Sequence, residues 1–101
     1  MSKVNQLQLL QQNLQNIVAQ KQQIEEQLSE LNSASTELKT TEKAYKIIGK
    51  IMIAASPLEM AKELDERKEF AQVRLKNFTK QEEQLKQDME KMQKEVMEEI
   101  K

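Results

Sequence analysis

The sequence predicts a mainly α protein, a long antiparallel two-helix coiled coil with one central β-hairpin. Three observations carry that prediction. Apolar residues recur at alternating spacings of three and four in two arms, which is the seam of a coiled coil. Between the arms, Ala44 to Ala55 is a β-branched run with Gly49 near its middle. After that run, Ser56-Pro57-Leu58-Glu59 restarts a helix.

The first arm is expected over residues 3–40. Its seam reads Lys3, Leu7, Leu10, Leu14, Ile17, Lys21, Ile24, Leu28, Leu31, Ser35 and Leu38, with Lys21 and Ser35 as the internal exceptions. Nine Gln between Gln6 and Gln27 fall mainly on solvated positions, where a good helix former suits a polar face, and the apolar period continues beneath them. Thr40 and Thr41 weaken the helix beyond this point.

The centre, residues 44–55, is expected to be a hairpin. Gly49-Lys50 separates Ala44-Tyr45-Lys46-Ile47-Ile48 from Ile51-Met52-Ile53-Ala54-Ala55, and Gly at the first central position is what a two-residue type II′ turn requires. In that register Lys46, Ile48, Ile51 and Ile53 share one face, and Tyr45, Ile47, Met52 and Ala54 the other. Both faces are mainly apolar. A lone two-stranded hairpin is marginal in water and keeps unpaired edges, so this one should be buried against copies of itself or a related chain. The rival reading continues the helix through this segment in one bent coiled coil; the Ile run, Thr40-Thr41, Gly49 and the cap at Ser56 argue against it.

The second arm is expected over residues 57–100. Ser56 is placed to cap it, Pro57 fills the first helical position and Glu59 stands three residues after the cap. Its seam reads Ala61, Leu64, Lys68, Ala71, Leu75, Phe78, Glu82, Leu85, Met89, Met92 and Val96, with Glu63–Arg67, Glu82–Lys86 and Glu90–Lys94 as favourably oriented pairs four apart. At 1.5 Å per residue each arm would run roughly 55 to 65 Å. A register in which facing residue numbers add to 99 puts each a position opposite a d position. It also sets Lys21 and Glu82 in adjacent layers, where they either lock the register or snorkel separately to solvent.

Apolar residues outside the seam concentrate near the two ends: Val4 and Leu9 in the first arm, Met97 and Ile100 in the second. Beside seam residues Leu7, Leu10, Met89, Met92 and Val96 they would make an apolar mouth. Met suits changeable contacts because its side chain is flexible and polarisable. Ordinary coiled-coil core at fraying ends accounts for the same residues. Phe70 and Val73 also lie off the seam, in mid-arm.

Composition narrows the function classes. With 101 residues, one Gly, one Pro, three aromatics by count of Tyr 1 and Phe 2, and a mean hydropathy of -0.79, the chain lacks the makings of a globular core. Lys+Arg 16 against Asp+Glu 17 leaves no basic field for nucleic acid or anionic lipid. Cys 0 and His 0 remove thiolate chemistry, the usual general base near neutral pH and the commonest metal ligand. Pairs such as Glu82-Glu83 and Glu98-Glu99 point in different directions on a helix, and no Gly-rich phosphate loop accompanies them. An enzyme is not expected, nor a metal or other cofactor. No run approaches the roughly 20 apolar residues of a membrane span, so a soluble, cytoplasmic protein is expected.

Ala44-Tyr45-Lys46-Ile47-Ile48-Gly49 resembles the hairpin of prefoldin β-type subunits, and Val73-Arg74-Leu75-Lys76-Asn77-Phe78-Thr79-Lys80-Gln81-Glu82-Glu83-Gln84-Leu85 is similar to their second helix. The first arm fits by pattern, so the resemblance covers nearly the full length as a single prefoldin-like domain, residues 1–101. It implies a hexamer in which two α-type and four β-type subunits join their hairpins into a β-barrel platform. Tyr45, Ile47, Ile48, Gly49, Ile51, Met52 and Ile53 would form the interface. It further implies an ATP-independent holdase whose coiled-coil tips bind non-native polypeptides and deliver them to a group II chaperonin. Leu7, Leu10, Met89, Met92, Val96 and Met97 are the client-contact candidates. The alternative is a structural antiparallel coiled-coil adaptor with one dedicated protein partner.

Overall fold

The computed structural model describes residues 2–100, and the elements follow in the order α1 (Lys3–Leu38), β1 (Ala44–Ile48), β2 (Ile51–Ala55) and α2 (Pro57–Ile100). No helix among the described residues is long and apolar enough to cross a membrane.

Helix boundaries follow from side chains that take up the orphan backbone groups. At the start of α1, Ser2 Oγ accepts a hydrogen bond from the Asn5 amide at 3.1 Å, and the Ser2 carbonyl accepts the Gln6 amide at 3.0 Å. This is an N-cap that the heptad pattern does not reveal. At its other end α1 stops at Leu38, two residues before Thr40. The Thr41 and Thr40 hydroxyls both donate to the Glu37 carbonyl, at 2.7 and 3.3 Å, and the Lys39 and Thr40 amides tighten onto Thr36 and Glu37 three residues back. The two threonines thus end the helix by occupying the Glu37 carbonyl of its last turn. For α2, Ser56 caps as expected, its carbonyl accepting the Met60 amide at 2.9 Å and its Oγ the Glu59 amide at a longer 3.5 Å.

The hairpin has the register read from the sequence: Ala44 pairs with Ala55, and the ladder runs to Ile48 opposite Ile51, every pair adding to 99. Gly49 has φ +59°, and among the described residues none other than glycine has a positive φ, so the turn has the first-position-only sign of type II′ and not the double one of type I′. A Cβ at Gly49 would meet nothing within 4 Å. Backbone conformation, not space, demands glycine there.

The chain divides into two compact units, one built from the stretches up to Ile24 and from Arg74, the other from Glu25–Val73. In the first, Leu7, Leu10, Leu14, Ile17, Leu75, Phe78, Leu85, Met89, Met92 and Val96 are half-buried and Ile24 is only 2% exposed. Ile17 and Leu85, in adjacent layers of the register that adds to 99, line one groove with Asn13, Asn16, Gln81 and Gln84. Two of the three expected same-helix pairs close, Arg67 to Glu63 at 3.7 Å and Lys86 to Glu82 at 3.8 Å, while Glu90 and Lys94 form none.

Lys21 Nζ lies 3.2 Å from Glu82 Oε1 across the coiled coil, both side chains largely shielded from water. The polar interruptions of the two seams therefore meet instead of snorkelling apart. A slip of one heptad would carry them about 10 Å out of reach, leaving a partly desolvated Lys21 without its carboxylate and Glu82 with only the exposed Lys86. That cost falls on the wrong registers and so selects the right one. Lys3 makes a further, exposed link at the chain ends, to Glu99 at 3.2 Å and Glu95 at 3.9 Å.

In the second unit Leu28, Leu31, Ser35 and Leu38 of α1 and Ala61 and Lys68 of α2 are half-buried, and Leu64, Ala71 and Ala44 are buried. Leu38 and Ala61, expected to face one another, line one groove with Ser35, Asp65 and Pro57.

Candidate functional site

Two strands with unpaired edges leave most of the hairpin's large apolar side chains open to water. Tyr45, Ile47, Ile48, Ile51, Met52 and Ile53 are all exposed, Ile47 to 70%. The two faces differ. On the face of Ala44, Lys46, Ile48, Ile51, Ile53 and Ala55, Ala44 is buried and Lys46 and Ala55 are half-buried, so its base packs down within this unit. On the face of Tyr45, Ile47, Met52 and Ala54 every residue is open to water. Several large apolar side chains exposed together, on a sheet that is marginal alone, make this hairpin the candidate interface.

One polar contact ties the hairpin to α2. Lys46 Nζ donates to Glu63 Oε1 at 2.8 Å, and Arg67 approaches the same oxygen from the next turn of the helix. The hydrogen bond from Lys46, followed by the charges of Lys46 and Arg67, holds the Glu63 carboxyl below its ordinary value against an opposing push from desolvation. A folded-state value below the unfolded one means that the contact contributes at neutral pH and is lost as pH falls from about 4.3 through the lowered value. Titration of the Glu63 carboxyl carbon by NMR is expected to give a midpoint below that of glutamate in an unfolded peptide, and Lys46→Gln should raise it. An unchanged midpoint in Lys46→Gln would refute the assignment.

At the chain ends the structure separates the client-contact candidates. Leu7, Leu10, Met89, Met92 and Val96 are half-buried occupants of the seam, whereas Met97 is 61% exposed in a groove with Glu90, Gln93, Lys94 and Glu98. Val4, Leu9 and Ile100, outside the seam, are also exposed. The free apolar surface at the ends therefore belongs to Met97, Val4, Leu9 and Ile100, with the five seam residues beneath. Leu58, Phe70 and Val73 are exposed elsewhere on α2; Leu58 follows a cap-and-proline start that draws attention to backbone and not to its own side chain. Among the described residues no group of three or more His, Cys, Asp or Glu could hold a metal ion.

The fold is a two-helix antiparallel coiled coil with one exposed, mainly apolar hairpin. The family model described as "Prefoldin subunit" matches residues 1–101, and the chain belongs to that family. It is 34% identical over 100 residues to the prefoldin subunit beta of Pyrobaculum islandicum, covering 96% of this chain and 80% of that one. With the prefoldin subunit beta of Archaeoglobus fulgidus it shares 37% over 87 residues, 83% of this chain and 75% of that one. Among solved structures it superposes on the prefoldin beta subunit from Thermococcus strain KS-1 with a TM-score of 0.88 and 27% identity, over 95% of this chain and 87% of that one. The family is one of chaperone subunits.

Proposed function

We propose that this chain is a β-type subunit of an ATP-independent holdase, assembled through its hairpin with an α-type prefoldin subunit and further β-type copies into a hexamer on a β-barrel platform. Its chain ends bind non-native polypeptides and deliver them to a group II chaperonin. The observation that carries the client role is the exposure of Met97, Val4, Leu9 and Ile100 at the ends of a chain whose family is a chaperone family. Singly exposed apolar side chains grip weakly and release readily. Several copies acting on one unfolded chain gain avidity from high effective concentration, which suits holding and transfer. The half-buried Leu7, Leu10, Met89, Met92 and Val96 join that surface where the ends fray. A cytoplasmic setting accords with a chain free of cysteine.

Light scattering from an unfolded model protein, diluted into buffer with the assembled complex, tests this reading. Met97→Ser with Ile100→Ser is expected to leave assembly and helicity intact while reducing suppression of aggregation several-fold. Full suppression by that variant would move the client site away from the ends. No suppression by either form would favour the adaptor with one dedicated partner, a reading supported by the fact that five of the six client candidates already serve the seam.

A further inference from the structure

The joints on either side of the hairpin are unequal. On the α1 side, residues 39–43 separate helix from strand; on the α2 side, Ser56 alone stands between Ala55 and Pro57. Orientation of the hairpin is therefore governed from α2, where the Ser56 cap and the fixed φ of Pro57 restrict the joint. A one-residue joint still leaves the strand pair free to rock about it. The structure supplies a second point of attachment: Lys46, on the hairpin face whose base is packed, donates to Glu63 Oε1 at 2.8 Å, seven residues beyond the cap. Arg67, one turn further along, lies 3.7 Å from the same oxygen.

We infer that Lys46 and Glu63, steadied by Arg67, are positioning residues for assembly: they hold the hairpin at the angle that presents Tyr45, Ile47, Met52 and Ala54 to the neighbouring subunit. Both side chains are about one-third exposed, at 38% and 33%. A pair so placed adds little to the stability of the fold. Its effect is on the bound geometry, because a hairpin free to rock must be ordered when the partner docks, and a tethered one is ordered beforehand. The apolar residues supply the attraction and the ion pair supplies the angle. This inference rests on the hairpin being the assembly surface.

The test is a double-mutant cycle on assembly with an α-type prefoldin subunit, followed by sedimentation velocity. Lys46→Gln and Glu63→Gln are each expected to weaken assembly by up to about fivefold at each interface, the range open to a partly exposed ion pair. The double variant should be no weaker than either single one, because the second change removes nothing that the first has left. Helicity and thermal midpoint of the isolated chain should not move. Parent-like assembly of both single variants, or a double variant in which the two losses multiply, would overturn the inference. Ile47→Asp, run alongside, distinguishes the two levels. If it leaves assembly unchanged, the hairpin is not the interface; if it abolishes assembly while the cycle shows no coupling, the interface stands and the positioning role falls.

Discussion

Ile47→Asp is expected to abolish co-assembly with an α-type prefoldin subunit while leaving the chain as helical as before. Ile47 is 70% exposed on the fully open face of the hairpin, between Tyr45 and Met52 in the pattern of facing side chains. Burying one such side chain against a partner contributes about 1.5 to 3 kcal/mol. Aspartate forfeits this and brings a charge into an apolar interface, which costs several kcal/mol more unless it finds a partner or takes up a proton. The dissociation constant should therefore rise by at least about a thousandfold, at about 1.4 kcal/mol per factor of ten. Sedimentation velocity and far-UV circular dichroism together check this. Unaltered sedimentation of the mixture would exclude the hairpin face as the platform, and lost helicity would show that Ile47 supports the fold as well.

Ile24→Ala is expected to produce the largest loss of stability of any single truncation. Ile24 is 2% exposed, and the other buried residues of the two units, Ala44, Leu64 and Ala71, include two alanines with little to remove. An isoleucine truncated to alanine in packed surroundings costs about 2 to 5 kcal/mol, the transfer of the lost methyls plus the cavity left behind. For a chain of this size about 3 kcal/mol lowers the thermal midpoint by about 15 °C. Phe70→Ala is the control. Phe70 is larger but 68% exposed, so its truncation should lie within about 0.5 kcal/mol of the parent. Circular dichroism melting of the two variants gives the comparison directly, and equal midpoints would show that the seam is not where stability resides.

The candidate sites were readable to different degrees. The candidate interface residues Tyr45, Ile47, Ile48, Ile51, Met52 and Ile53 are legible because a β-branched run split by a Gly-Lys turn favours a hairpin over a continued helix, and a hairpin apolar on both faces needs cover. The end residues were harder to separate, because a heptad position and a client contact both call for a large apolar side chain. The heptad places Leu7 in the seam and Met97 outside it; the structure adds that Leu7 is half-buried there while Met97 lies 61% exposed in a groove. The Ser2 cap escaped notice because a lone serine at a chain start is a weak signal until its oxygen is seen accepting the Asn5 amide.

The sequence by itself determined the two helices, their seams, the Ser56-Pro57 start, the strand register and the glycine turn. Each depends on interactions within a few residues or on the period at which apolar side chains repeat, and both are written along the chain. Tertiary structure decided which hairpin face packs down and which stays open, the pairing of Lys46 with Glu63, and the closure of Lys21 onto Glu82. These depend on the angle of a one-residue joint and on contacts between residues 17 and 61 positions apart, which no local pattern encodes.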